Sequence, residues 1–288
     1  MINPRVSIIT ACFNAARTIE DTIQSVLSQN YPNLEYIVID GASTDGTLGI
    51  LDKYRHRIFK IVSEPDNGIY DAFNKGISLA TGDLIGILNA DDFYAPWTLQ
   101  IMANAYLEHP QYAVYHGKMF YFDESSRWWQ ITTLHEPDLL LEFMCIAHPS
   151  CFIPRKIYDK HGVFDMSYSI AADWDFLIRL YLAREKFFAI NKTLVAMRSG
   201  GASNSEKCTL EVCKILKKYS GIESARKYIA KLRQPLSWRR VNYIKTHDVL
   251  SGLWGTKPEI AGKIRKNWIC AMPFEFPWRF IDETENVL

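Results

Sequence analysis

The feature that most narrows the fold is a rhythm of short apolar runs separated by helix-length amphipathic segments. The runs are residues 6–10, 34–40, 59–63 and 84–89. Between them lie 15–29, 47–54 and 68–80, which carry apolar residues at helical spacing. In the first of these, Ile19, Ile23, Val26 and Leu27 line one helix face. Strand, helix and strand in repeated succession predict parallel pairing through crossover helices, so an α/β, doubly wound sheet is the economical architecture. In the fourth run Leu84, Ile85, Ile87 and Leu88 are nearly continuous, as expected for a strand covered on both faces of a parallel sheet.

That fourth run delivers Asp91-Asp92 to its C-terminal end. A buried strand has no structural need of two carboxylates at its tip. Side by side they repel unless a cation neutralises them, so a divalent metal is the natural partner. Ligands of open α/β sheets bind outside the carboxyl ends of the strands. The pair is therefore a candidate metal site that holds a diphosphate; a solvated pair opening the loop before Pro96 is the alternative. A Rossmann dehydrogenase would carry G-x-G-x-x-G after its first strand. Here that strand ends Thr10-Ala11-Cys12-Phe13-Asn14, without glycine, and there is no P-loop. The charge of a nucleotide diphosphate would then have to be met elsewhere, and Asp91-Asp92 with a metal is the available device. Asp40 ends the second run on the same rim. It could accept from a base N–H or a ribose hydroxyl, or simply initiate the turn before Gly41. Asp45, ahead of Gly46-Thr47, reads as a helix N-cap.

Past Pro96 the pattern predicts a helix to about 109, strands over 113–123 and 128–133 that could pair as a hairpin, and a helical stretch over 138–144. An amphipathic helix begins at 173 and runs to 182, and a final strand covers 187–197. The 288 residues suit one large domain, or one of about 200 residues with an appendage. Hydrophobic content of 48% supplies a sizeable core, and a net charge of +1 argues against nucleic acid as a partner. The balance is uneven along the chain. Residues 1–204 hold 17 basic against 23 acidic side chains, and residues 205–288 hold 16 against 9.

The expected division is thus a domain over 1–204, with halves at about 1–95 and 96–204, and a basic, aromatic-rich helical extension over 205–288. Helices are expected at 209–219 and 222–232. Beyond them Trp238, Arg239, Arg240, Trp254, Lys263, Arg265, Lys266, Trp268, Trp278 and Arg279 interleave aromatics with cations. That composition suits an anionic membrane surface. A helical cap packed on the domain is the other reading, and the two are compatible. The six cysteines form no CxxC pair and read as reduced thiols. The chain runs directly into a strand pattern, so no signal peptide is expected, and no apolar run approaches the roughly 18–20 residues of a membrane span. The expected location is cytoplasmic, peripheral at the inner face of the cell membrane.

Four stretches carry a resemblance: Val6-Ser7-Ile8-Ile9-Thr10-Ala11-Cys12-Phe13-Asn14, Ile39-Asp40-Gly41-Ala42-Ser43-Thr44-Asp45-Gly46-Thr47, Asp71-Ala72-Phe73-Asn74-Lys75-Gly76-Ile77, and Asn89-Ala90-Asp91-Asp92. In order and spacing they resemble the successive motifs of family 2 glycosyltransferases, inverting enzymes of the GT-A fold that use nucleotide-activated sugars. The likeness runs from residue 5 to about 200. It implies that Thr10, Ala11, Phe13 and Asn14 wrap the nucleotide base, with Phe13 where the family usually has Tyr. Asp40 would bind the base, usually uracil, although a second Asp common in the family is here Gly41. Asp66, Asp71, Asn74 and Lys75 would line the nucleotide and diphosphate, with Phe73 where many relatives have Arg. Asn89-Ala90-Asp91-Asp92 stands at the family's DxD position. Asp92 would be the main ligand of Mn2+ or Mg2+, Asp91 would meet ribose or the metal through water, and Asn89 replaces the first acid.

An inverting transfer is a single displacement, so a carboxylate must take the proton of the acceptor hydroxyl. Ala172-Asp173-Trp174-Asp175 resembles the family's acidic motif, with Ala172 in place of its Glu. Asp173 is then the catalytic base and Asp175 the runner-up; both could instead be first-turn acids favoured by the helix dipole. Trp174 could stack on a sugar or fill the core. His148 falls in the acceptor-side segment as a possible acceptor or diphosphate contact. Arg198, in Arg198-Ser199-Gly200-Gly201, could clamp the diphosphate from a loop that closes over it. The function implied is transfer from a nucleoside-diphosphate sugar, most often UDP-linked, to a saccharide or lipid-linked saccharide in polysaccharide biosynthesis. The rivals are a sugar nucleotidyltransferase and a non-catalytic sugar-nucleotide or glycan-binding protein.

Overall fold

The computed structural model describes residues 3–123, 128–201 and 205–232. Four strands, β1 (Val6–Cys12), β2 (Leu34–Asp40), β3 (Lys60–Ser63) and β4 (Leu84–Ile87), lie parallel in the order β3-β2-β1-β4. They are joined by α1 (Ile19–Leu27), α2 (Thr47–Tyr54) and α3 (Ile69–Leu79). β1 is buried along its whole length, and its two polar side chains are satisfied there. Ser7 donates to the Glu35 carboxylate, and the Tyr36 hydroxyl lies 3.2 Å from Thr10 Oγ1. Gly76 lets α3 approach β1: a Cβ at this position would stand 2.3 Å from Ile9 Cγ2. The register sets Cys12 beside Asp40 and Ile9 beside Ile87, so the chain leaves β1, β2 and β4 at one rim.

The remaining elements are β5 (Phe93–Tyr94), α4 (Thr98–Glu108), β6 (Val114–Asp123), β7 (Trp128–Ile131), β8 (Phe152–Pro154), α5 (Arg155–His161), α6 (Ala172–Leu182) and β9 (Phe187–Arg198). The sheet continues β4-β8-β6-β9-β5, with β7 paired to β6 as the expected hairpin. The fourth run therefore has a parallel neighbour on one side only. β4 is parallel to β1 but antiparallel to β8, which makes the doubly wound sheet a mixed one. The short β5 pairs with β9, Phe93 beside Ala196. This brings the end of β9 next to the carboxylates that follow β4.

Two helices are shorter than their patterns predict. The first was expected from residue 15 but begins at Ile19. The backbone N–H groups of Asn14, Ala15 and Ala16 are taken by Ser43 Oγ at 2.8 Å, Thr47 Oγ1 at 2.9 Å and Asp45 Oδ2 at 3.0 Å. Thr44 N donates back to Asn14 Oδ1 at 2.9 Å. The stretch expected to be helical over 138–144 forms a 3-10 turn, Pro137–Leu141. The Leu140 carbonyl that would continue an α-helix instead accepts the Trp174 indole N–H at 2.8 Å.

α7 (Glu206–Ser220) and α8 (Ile222–Leu232) follow, the second with the expected bounds. The chain divides into two compact units, Met1–Glu211 and Val212–Leu288. The division falls inside α7, beyond the 204/205 boundary read from composition. The interleaved Trp, Lys and Arg of the tail lie outside the described residues. Among the described residues no helix is long and apolar enough to cross a membrane.

Candidate active site

The rim after β1, β2 and β4 holds three groups of side chains. The first lies where β1 and β2 end. Asp40 is fully buried, and its Oδ2 accepts from Ser43 N at 3.0 Å and from the Ser63 hydroxyl at 2.7 Å. The Cys12 thiol lies 3.5 Å from Oδ1. The carboxylate thus closes the turn after its own strand. Thr10 is enclosed with Tyr36, Ala11 is buried, and Asn14 is committed to the loop after β2. Phe13 is the outward member, 64% exposed. Gly41 has a steric reason: a Cβ there would lie 2.6 Å from Asp66 Oδ2 and 3.3 Å from the Phe13 ring. Asp66 thus occupies the space a second carboxylate at position 41 would need. Its Oδ1 accepts from Gly68 N at 2.9 Å.

The second group follows β4. Asp92 is 1% exposed, with Oδ2 accepting from Asn89 Nδ2 at 3.1 Å and Oδ1 from Arg198 N at 3.2 Å. Thr22 of α1 holds its carbonyl at 2.7 Å. Burial, followed by the Asp91 charge, pushes the Asp92 carboxyl well above its ordinary range; the Asn89 and Arg198 contacts oppose this. Asp91 is the more accessible of the two, and burial raises its carboxyl against the pull of Arg198. Asp92, expected as the main metal ligand, directs its two oxygens inward onto Asn89 and the backbone of β9. Asn89 accordingly serves Asp92. Arg198 is also tied down, by an ion pair with Asp21 at 2.6 Å and by the rings of Phe93 and Phe122 at 5.7 and 5.8 Å. It stands beside the carboxylate pair as a held cation rather than on a mobile loop.

A divalent cation fits Asp91 on chemical grounds. The group is a partly desolvated carboxylate whose charged form is disfavoured where it stands. Among the described residues no three His, Cys, Asp or Glu side chains cluster as a complete metal cage. Mg2+ commonly needs only one or two carboxylates because substrate phosphates complete its shell.

The third group joins α3 to the start of α6. Asn74 bridges to the loop before α6 from both ends of its amide, Nδ2 to Phe164 O at 3.0 Å and Oδ1 from Phe164 N at 3.1 Å. Asp71 accepts from Asn67 N at 2.9 Å, which with Lys75 holds its carboxyl below the usual range. Lys75 pairs with Glu64 at 2.9 Å and Asp71 at 3.5 Å. These three residues thus fix loops. Asp173 is different. Its Oδ1 receives the Tyr70 hydroxyl at 2.8 Å and Trp174 N at 2.9 Å, whereas Oδ2 has no protein donor among the described residues. Burial and the Asp173 charge push the Tyr70 phenol far up, so it stays a donor. A shallow surface depression lined by Asn67, Gly68, Tyr70, Asp71, Met166 and Ser169 lies on the Tyr70 side of this group.

The other acceptor-side candidates are enclosed. Trp174 is buried, with its indole on Leu140 O. Asp175 is fully buried and pairs with Arg179 at 2.9 Å, so the runner-up carboxylate is a core ion pair. His148 is 8% exposed among Phe73 and Phe164, and burial lowers its imidazole below the usual range while Asp173 opposes this. Phe73, at the position where many relatives have Arg, is core to this aromatic group. Sequence reasoning passed over Tyr70, which sits one residue before the motif Asp and carries no signal of its own. It also passed over the adjacency of Asp66 to Gly41, for which the missing second carboxylate was the available clue.

Comparison with known proteins gives a consistent picture. The family model described as "Glycosyl transferase family 2" matches residues 7–172. A PGL/p-HBAD biosynthesis glycosyltransferase of Mycobacterium tuberculosis is 32% identical over 185 residues, covering 63% of this chain and 71% of the relative. The putative glycosyltransferase EpsE of Bacillus subtilis is 38% identical over 125 residues, 42% of this chain and 45% of its own. Among solved structures, TarS 1–349 of S. aureus in complex with UDP-GlcNAc aligns with a TM-score of 0.62 at 18% identity, over 82% of this chain and 77% of that one. Against the longer TarS crystal structure the match covers 46% of that chain. The mannosyltransferase PcManGT from Pyrobaculum calidifontis, in complex with GDP-Man and Mn2+, aligns with a TM-score of 0.57 at 16% identity, over 87% of this chain and 81% of its own.

Proposed function

Since this chain belongs to glycosyltransferase family 2 and is a glycosyltransferase of α/β, GT-A type, we propose that it inverts the sugar of a nucleoside diphosphate onto an acceptor hydroxyl. The nucleotide is UDP, and the acceptor is a saccharide or lipid-linked saccharide of a surface polysaccharide. Family membership sets aside the nucleotidyltransferase and the non-catalytic binder. The observation that carries the reading is the one-sided anchoring of Asp173, with Oδ1 held by Tyr70 and Trp174 N and Oδ2 open. In this reading Oδ2 takes the proton of the acceptor hydroxyl. The acceptor oxygen bonds to the anomeric carbon as the bond to the diphosphate breaks, and the nucleoside diphosphate leaves with the electron pair. Mn2+ or Mg2+ held at Asp91 would offset the charge that develops on the leaving diphosphate. Arg198, beside that carboxylate, adds fixed positive charge. Phe13 offers an exposed ring to the base, with Asp66 beside it. Support for the nucleotide comes from the UDP-GlcNAc complex of TarS, and for the setting from the names of the mycobacterial and Bacillus relatives.

The test is a thermal-shift panel of UDP, GDP and their sugar conjugates with and without Mn2+. UDP with Mn2+ at a hundred times Kd adds about 2.7 kcal/mol, a rise of about 5–10 °C in Tm for a domain of this size. A shift by GDP alone, or a UDP shift indifferent to metal, would overturn the nucleotide or the cation assignment respectively. The basic tail extends the proposal to peripheral residence on the cytoplasmic face of a membrane. Co-sedimentation with vesicles containing phosphatidylserine, weakening as salt rises, is the expected result. A protein that stays wholly in the supernatant at low salt would contradict it.

A further inference from the structure

We propose that Glu211 is a positioning residue for the base, acting through the Ser169–Ala171 segment; this rests on the assignment of Asp173 above. Glu211 is 5% exposed, and its carboxylate is fully engaged. Oε1 accepts from Ser169 N at 2.9 Å and from the Ser169 hydroxyl at 2.7 Å. Oε2 accepts from Ile170 N at 2.8 Å and Ala171 N at 3.0 Å. Three successive backbone N–H groups thus converge on one buried carboxylate. Burial pushes that carboxyl up, but the donors outweigh it and hold it below its usual range.

The segment it grips touches both holders of Asp173, Tyr70 directly and Trp174 through the start of α6. The Ile170 carbonyl lies 2.7 Å from the Tyr70 hydroxyl, which shares its single proton between that carbonyl and Asp173 Oδ1. Ala171 is the residue from which α6 starts, and its carbonyl accepts Asp175 N at 3.2 Å. Three residues on, the Trp174 N–H reaches back to Asp173 Oδ1. A shift of the 169–171 backbone therefore moves the phenol's second acceptor and the first turn of α6 together. Both set where Oδ2 points. Reactions that depend on alignment lose rate steeply with displacement, so an ångström of play is enough to matter. Glu211 lies beyond the segment matched by the family model, in the stretch that composition marks as an appendage. The catalytic geometry therefore draws on a residue outside the shared motifs.

The experiment is a four-variant cycle in the full chain: wild type, Glu211→Gln, Asp173→Asn and the double variant. The donor is UDP-GlcNAc with Mn2+, or the UDP-sugar that the thermal-shift panel selects, with water as acceptor and released UDP as the signal. Glutamine keeps the volume but turns an amide NH2 toward backbone donors. Glu211→Gln is expected to lower kcat about tenfold, leave KM for the donor within about twofold, and cost nothing further once Asp173 is Asn. An equal loss in both backgrounds, a loss confined to KM, or no loss would overturn the positioning role. Undiminished turnover in Asp173→Asn would instead overturn the base, whatever Glu211→Gln does. Should Glu211→Gln fail to fold, Ser169→Ala removes a single one of the four bonds. It is expected to give a smaller loss, about two- to threefold, with the same dependence on Asp173.

Discussion

Asp173→Asn is expected to lower sugar transfer by about 10²–10⁴-fold, the range a positioned general base supplies. The substitution is close to isosteric. The amide oxygen can still accept from Tyr70 and from Trp174 N, so the segment should keep its place. What is lost is the acceptor at Oδ2, replaced by an NH2 that takes no proton. UDP affinity should therefore stay unchanged while kcat collapses. Initial rates of UDP release beside calorimetric titration with UDP would read the two separately. A rate within about threefold of wild type would move the base elsewhere. Asp175 is a poor heir, because its carboxylate is buried against Arg179 and cannot reach an acceptor without breaking that pair.

The second large effect separates two neighbouring residues. Asp91→Asn is expected to abolish the Mn2+-dependent part of UDP stabilisation and to reduce transfer by about 10²–10³-fold, a few kcal/mol of lost charge stabilisation in the transition state. Asp92→Asn should behave differently. It disturbs the contacts with Asn89 and the β9 backbone, for a loss of about 1–3 kcal/mol in folding stability, while the Mn2+ response survives. Melting curves of both variants with UDP, with and without Mn2+, decide the order. If the metal response disappears in Asp92→Asn and persists in Asp91→Asn, the assignment of the pair is reversed.

The contrast between these residues also marks where sequence reasoning stops. β2 and α2 fell where the apolar periodicity put them, because local pattern and burial agree there. The parallel pairing of the first four strands followed from the crossover lengths, whereas their order is seen only in the structure. Asp91 and Asp92 are different. They sit in the turn that follows β4, and the choice between inward and outward depends on what arrives from elsewhere. Here it is the backbone N–H of Arg198, contributed by a strand more than a hundred positions later. The same holds for the antiparallel neighbour of β4, set by a partner remote in the chain. Glu211 is the extreme case. A glutamate in a charged, amphipathic helix reads as solvated, and only the converging N–H groups of the 169–171 segment make it a buried anchor.

The lacing of the loops after β1 and β2 bears on how nucleotide preference can be altered. Asn14, Ala15 and Ala16 give their N–H groups to Ser43, Thr47 and Asp45, and Thr44 returns one to Asn14. The two loops are therefore exchangeable between relatives only as a pair. A graft that brings in one without its counterpart strands several donors at the rim, at about 1–3 kcal/mol for each that is cut off from water. A chimera assembled from matched loops keeps intact the wall that the proposed function sets against the base.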